Sequence, residues 1–250
     1  ALAQLGLDLR VGGLAAGLLV DLDHVVQRGI EPGDDGTFTA VLDALCRPTS
    51  LVDIEVYADD NITSSDCAVA SCTAMTTDDA GETSLTLPEG SRFAYRVPET
   101  TDFVETLAFH LVAPASGDVT LTALSKFVRD EYLPDYAAGT AIAWIELSDC
   151  AGLSVEGAVV RLYDGSTPAC ASSGYVDGLS LREERWTAAG GTAVVGDIPV
   201  PADGELIAEA WGRLTDGGPL ELLGRELIRV RADAVTFVAL GPLRADSPSR

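Results

Sequence analysis

His24 and His110 are the two histidines of the chain, and nucleophilic catalysis by Ser, Cys or Thr usually needs one as its base. His24 follows Asp21 and Asp23 in "DLDH", a grouping of metal-ligand types. In an extended strand, however, both aspartates point away from His24. His110 lies within "VETLAFHLVAP", a predicted strand, where we expect it to pack or to face solvent. The histidines therefore predict no catalytic residue, and we expect the chain not to be an enzyme.

The loop "ADDNITSSDCAVASC", residues 58–72, carries the oxygen ligands that calcium prefers. These are Asp59, Asp60, Asn61 and Asp66. Their spacing does not match the Asp-x-Asp-x-Asp-Gly pattern of a calcium loop. The residues are also typical of a polar surface loop held by a cysteine. We therefore expect no metal and no cofactor, and the calcium hypothesis for this loop stays open.

Net charge separates the possible partners. The chain carries 39 acidic and 16 basic residues, a net charge of −23, and Lys126 is its only lysine. Nucleic acids and anionic membranes bind clustered positive charge, so neither is expected as a partner. The longest apolar run, "VGGLAAGLLV" at residues 11–20, is too short to span a bilayer. We expect a protein partner or self-assembly, and no transmembrane segment.

Five cysteines with no Cys-x-x-Cys pair indicate disulfides rather than zinc. In the second half, Cys150 and Cys170 are the available pair. In the first half, proximity favours Cys67–Cys72, which we prefer, whereas alignment of the two halves favours Cys46–Cys67 and leaves Cys72 over. Disulfides imply an oxidising compartment, so we expect a secreted or cell-surface protein. The chain begins at Ala1 without Met, which a removed signal peptide or a shortened chain would explain.

Short runs rich in Val, Thr, Leu and Tyr alternate with glycine-containing turns along the whole chain, the pattern of an all-β sandwich. In "VDIEVY", Val52, Ile54 and Val56 point to one face, opposite Asp53, Glu55 and Tyr57. Further runs, "AVVRLY" and "TSLTLP", alternate in the same way. One buried and one wet face are what packed sheets require.

Two segments repeat one order of elements, which indicates one unit used twice. In each copy a strand ends in a cysteine (Cys46, Cys150), and the next strand ends in a tyrosine (Tyr57, Tyr163). A variable loop, a glycine turn and a strand running into a proline follow (Pro88, Pro199).

The second copy, "VEGAVVRLY" followed by "VVGDIPVPADGELIAEA", resembles carboxypeptidase regulatory-like domains, which are transthyretin-like β-sandwiches. Residues 139–241 match that pattern well, and residues 37–122 match it loosely. The resemblance implies non-catalytic domains of bacterial secreted or surface proteins. Its matching residues are turns and strands, so no functional residue carries over.

The expected fold is therefore all-β, with two tandem transthyretin-like or Ig-like sandwiches and a short linking helix. We predict an N-terminal strand region at 1–35, a first sandwich at 36–122, a linker with a helix at 123–138 and a second sandwich at 139–250. The expected function is a structural or adhesive module that acts through protein contacts. The alternative is an accessory carbohydrate- or substrate-binding domain of a secreted hydrolase complex, which a row of exposed aromatics would favour. We expect Trp144, Trp186 and Trp211 to pack in the core or on a sheet face.

Overall fold

The fold is all-β, as the sequence predicts. The computed structural model describes residues 41–43, 50–58, 62, 67, 72–114, 119, 121–149, 153–169, 172–177, 180–182, 186–213 and 218–241. The strands of the first half are β1 (Val41–Asp43), β2 (Asp53–Tyr57), β3 (Thr73–Thr76), β4 (Arg92–Val97), β5 (Glu105–Val112) and β6 (Leu121–Ala123). Helix α1 (Lys126–Tyr132) follows. The strands of the second half are β7 (Ala141–Leu147), β8 (Val159–Asp164), β9 (Thr167–Pro168), β10 (Ser172–Asp177), β11 (Ser180–Arg182), β12 (Thr192–Ile198), β13 (Glu205–Gly212), β14 (Glu221–Arg229) and β15 (Ala234–Leu240).

One nine-stranded sheet contains strands of both halves, in the order β11-β10-β12-β7-β15-β5-β4-β2-β3. Strand β15 forms the junction, because it pairs in parallel with β7 on one side and with β5 on the other. The register aligns Val235 with Ile142 and with Thr106. The repeat did not predict this shared sheet. The domain boundaries given above stay a prediction.

A second sheet, of order β14-β13-β8-β9, packs on the nine-stranded sheet in the second half. The apolar core between them contains Ile145 and Val195 from one sheet and Leu162, Leu206 and Ile228 from the other. This is the two-layer packing that alternating strands require, with each sheet burying one face. The remaining pair, β1 and β6, runs in parallel in the first half.

Alternation predicts the buried face of β2 correctly and its other face only in part. Ile54 and Val56 lie in the core of the first half, and Asp53 is exposed. Tyr57, predicted on the wet face, is fully buried because Ile62, Leu107 and Ala234 cover it. Both faces of the sheet are therefore covered near the junction of the halves. Residues 82–88 alternate in burial as predicted but belong to no strand.

Helix α1 lies within the predicted linker at 123–138. The hydroxyl of Ser125 caps it by accepting a hydrogen bond from the amide of Val128 at 3.2 Å. The helix stops before Pro134, which cannot continue it. Val128 is buried against Ile142 and Val235, so the helix packs on the sheet at the start of β7 and β15.

Among the described residues, no helix is long and apolar enough to cross a membrane.

Candidate functional site

The described residues contain a cleft where β5 separates from β15. The two strands are paired from Ala234 and Glu105 as far as Phe237 and Ala108. Beyond that point β15 continues beside β7 to Leu240, while β5 continues beside β4. The divergence leaves a wedge within an otherwise continuous sheet.

A bulge at His110 turns β5 away from β15. On β4, Phe93 pairs with Leu111 and Tyr95 with Ala108, so β5 has one more residue than β4 over this stretch. His110 has a φ of 62°, in the left-handed region that few residues other than glycine adopt. Because the bulge redirects the side chain, the ring Nε2 lies 3.3 Å from the carbonyl oxygen of Leu227 and 3.5 Å from a carboxylate oxygen of Glu226 on β14. The half-buried His110 therefore links the first half to the second sheet.

The cleft has a volume of about 200 Å³ and walls that are mainly apolar. Its lining comes from both halves: Tyr95, Ala108, Phe109, His110, Leu111, Thr122, Glu146, Glu226, Leu227, Ile228, Thr236, Phe237, Val238 and Ala239. The Tyr95 hydroxyl donates to the Thr122 carbonyl at 2.8 Å and accepts from the Thr122 amide at 2.9 Å. The Thr236 hydroxyl donates to the carbonyl of Arg229 at 2.7 Å. These two hydroxyls are thus engaged with the backbone.

Glu146 is the one charged residue of β7, and its carboxylate lies at the cleft. Within the described part of the chain it has no hydrogen bond and no ion pair. Burial among protein atoms raises the pKa of this carboxyl. The side chain is nevertheless exposed. Because the side chain still contacts water, the carboxylate has lost only part of its hydration. The sequence signal for Glu146 is a lone charge inside the apolar run "AIAWIEL".

Four charged residues form a chain of ion pairs at the other end of the β5–β15 junction. Arg96 Nη1 lies 2.8 Å from Glu55 Oε2, and Arg96 Nε lies 2.5 Å from Glu105 Oε1. Arg231, in the turn before β15, reaches the same Glu105 oxygen at 2.7 Å. The Tyr57 hydroxyl donates to Glu55 at 2.9 Å. No sequence pattern predicts this network, because its members lie far apart in the chain.

The candidate metal ligands predicted from the sequence lie outside the part of the chain that the structure describes. His24, Asp21 and Asp23 lie outside the described residues, as do Asp59, Asp60, Asn61 and Asp66 of the acidic loop. In the described ranges, no group of three or more His, Cys, Asp or Glu side chains could hold a metal ion.

Cys67 and Cys72 form a disulfide with Cα atoms 5.4 Å apart. Cys46, Cys150 and Cys170 lie outside the described residues, so the Cys150–Cys170 bond stays a prediction.

The three tryptophans have different environments. Trp144 packs edge-to-face against Tyr132, with ring centroids 5.7 Å apart, and also contacts Phe237. The Trp211 indole donates to Glu209 at 3.0 Å and is half-buried. Trp186 is 51% exposed, so the expectation of packing is wrong for this residue.

No protein-family model matches this chain, and no curated protein matches it. Among solved structures, it is similar to the minor pilin GBS52 of Streptococcus agalactiae, at 11% identity and a TM-score of 0.26, over 86% of this chain and 100% of the pilin. It is also similar to the shaft pilin SpaA of Lactobacillus rhamnosus GG, at 13% identity and a TM-score of 0.26, over 86% of this chain and 99% of that one. The streptococcal ancillary pilin matches at 14% identity and a TM-score of 0.24, over 84% of this chain and 69% of the pilin. At these identities and TM-scores, the similarity assigns no function to this chain.

Proposed function

We propose that this protein is a non-catalytic structural or adhesive module of a bacterial secreted or cell-surface protein, and that it acts through protein contacts. We also propose that it resembles the carboxypeptidase regulatory-like family in its second half, because of the turn and strand order of residues 139–241. The single observation that supports the function best is the position of β15 between β7 and β5.

The position of β15 supports a load-bearing role for a mechanical reason. Its residues 234–237 pair with β5 and its residues 235–240 pair with β7, both in parallel. Tension along β15 therefore loads the hydrogen bonds to both neighbours together, rather than one pair after another. Arg231 and Glu105 add an ion pair across the same junction.

Chemistry among the described residues is consistent with a role in binding rather than catalysis. His110 is placed against the edge of β14, and the hydroxyls of Tyr95 and Thr236 in the same cleft are bonded to backbone groups. A base beside an activated nucleophile would instead predict covalent catalysis.

Force measurements on single molecules test the proposed load-bearing role. Pulling between the two chain ends should give one dominant force peak, at which both halves yield together. Pulling between the C-terminus and a handle at Thr76, on the edge strand β3, should require less force, because the hydrogen bonds of an edge strand can break one at a time. Two separate peaks of low force from the chain ends would contradict the proposal, and so would reproducible hydrolysis of esters, peptides or glycosides by purified protein.

A second candidate function, an accessory carbohydrate- or substrate-binding domain of a secreted hydrolase complex, rests on one exposed indole, that of Trp186, rather than on a row of aromatics. Aromatic rings with one exposed face are suited to contact with amphipathic ligands. Glycan-array binding that is lost in Trp186→Ala and kept in Trp144→Phe would support this candidate over the first.

A further inference from the structure

We propose that the cleft between β5 and β15 binds a basic side chain, lysine or arginine, of a partner protein, with Glu146 as its counter-ion. This inference rests on the proposed function in protein contacts and names the chemistry of the partner. The cleft lies beside the bulge at His110, and strands of both halves form its walls.

The charge of the cleft favours a cation. Glu146 offers a carboxylate without a hydrogen-bond donor or ion-pair partner in the described ranges. A carboxylate that is already partly screened from water has less hydration left to lose on pairing, and it attracts a positive charge more strongly than a fully hydrated one does. Glu226 adds a second acidic group to the lining, and the net charge of −23 attracts basic partners over longer distances.

The size and walls of the cleft favour a side chain over a larger ligand. Its volume of about 200 Å³ is below the range of roughly 300–1,000 Å³ that holds drug-sized molecules. Phe109, Leu111, Phe237 and Val238 provide apolar surface for the methylene groups of a long basic side chain. Ala239, which pairs with Glu146 between β15 and β7, is exposed at the same place and leaves room beside the carboxylate.

The test measures binding of the blocked tripeptide acetyl-Gly-Lys-Gly-amide by NMR titration in 150 mM salt. Its arginine counterpart is the second probe, and the same peptide with an acetylated lysine is the uncharged control. We expect saturable shifts of the methyl signals of Leu111, Leu227 and Val238 with a Kd on the order of 1 mM, since one side chain makes few contacts. The acetylated peptide should bind at least about tenfold more weakly.

Two variants locate the site. Glu146→Gln should weaken binding at least about tenfold, whereas Glu156→Gln, an exposed site outside the cleft with the same change in net charge, should bind within about twofold of the unchanged chain. Ala239→Leu, which fills the space and keeps Glu146, should also abolish the shifts, whereas Ala232→Leu in the exposed turn before β15 should not.

Equal binding by the Glu146→Gln, Glu156→Gln and unchanged proteins would overturn the inference. Equal binding of the acetylated peptide, no saturable shifts, or shifts confined to residues outside the cleft would do the same. Any of these results would leave the load-bearing function intact if the force measurements support it. Conversely, lysine binding with two weak, separate force peaks would support the cleft and contradict the load-bearing role.

Discussion

Arg231 and Glu105 lie 126 positions apart in the chain, yet the Arg231 Nη1 and the Glu105 Oε1 are only 2.7 Å apart. The same Glu105 oxygen accepts a bond from Arg96 at 2.5 Å. One carboxylate, 13% exposed, therefore joins β4 of the first half to the turn that begins β15. We therefore expect the stability of the junction between the halves to depend on Glu105.

Glu105→Gln should lower the free energy of unfolding by about 2 kcal/mol, because it leaves two arginines at a largely buried site with less negative charge. Glu99→Gln is the matched control, since Glu99 pairs with Lys126 at 2.7 Å but is 59% exposed. Its cost should be about 0.5 kcal/mol or less. Urea unfolding at pH 7 measures both, and equal effects would show that the junction does not depend on Glu105.

The Tyr57 hydroxyl predicts a loss of stability at alkaline pH. Burial, and then the hydrogen bond to the Glu55 carboxylate, raise the pKa of Tyr57 to about 12. Its contribution to stability is present in full below its usual pKa of about 10 and is lost as the pH rises through 12. Tyr57→Phe should cost about 1 kcal/mol at pH 8 and make the decline between pH 10 and 12 shallower. Denaturant unfolding at several pH values measures this, and an unchanged decline would assign it to other tyrosines.

The left-handed backbone at His110 predicts an unusual order of stability for two variants. His110→Ala and His110→Gly both remove the ring and its contacts with β14. Only glycine adopts a φ of 62° without a steric cost, which is about 1 kcal/mol for other residues. His110→Gly should therefore be more stable than His110→Ala by about that amount in thermal unfolding. The reverse order would mean that the bulge relaxes in the variants.

Gly224 predicts a steric effect where β14 passes the end of β15. A Cβ on Gly224 would meet the backbone carbonyl of Gly241, whereas a Cβ on Gly241 meets no atom among the described residues within 4 Å. Backbone cannot move aside as a flexible side chain can, so Gly224→Ala should cost about 2 kcal/mol. Gly241→Ala should change stability by less than about 0.5 kcal/mol. Thermal unfolding of the two variants measures the difference. Equal melting temperatures would show that Gly224 does not pass close to the Gly241 backbone.

Peptide mapping without reduction tests the cysteines. We expect Cys67–Cys72 and Cys150–Cys170 peptides, with Cys46 as the one free thiol. A Cys150–Cys170 bond closes a loop of about 20 residues and should contribute roughly 3 kcal/mol by restricting the unfolded chain. A Cys46–Cys67 or Cys46–Cys72 peptide would show that the alignment of the halves predicts pairing better than proximity does. Fully reduced cysteines would remove the main argument for secretion.

Local sequence patterns determined the class of the fold and several of its elements. Alternation with a period of two marks the buried face of β2 and of β8, where Val160 and Leu162 are buried and Arg161 is exposed. Ser125 and Pro134 bound the helix between the halves, because a hydroxyl caps one end and an imino acid stops the other. These features depend on neighbours within a few residues, which is the range over which sequence patterns are informative.

Three features follow from tertiary packing alone: β15 pairs with β5 across the two halves, His110 turns toward β14, and Glu146 lies at a cleft. Neither strand's own sequence identifies its partner, since the apolar residues of β5 and β15 would fit many neighbouring strands. Alternation along β2 likewise predicts that Tyr57 faces solvent, but Leu107 and Ala234, which are distant in the sequence, cover its side chain. Contacts over more than a hundred positions follow from how whole sheets pack, and no local period of the chain records them.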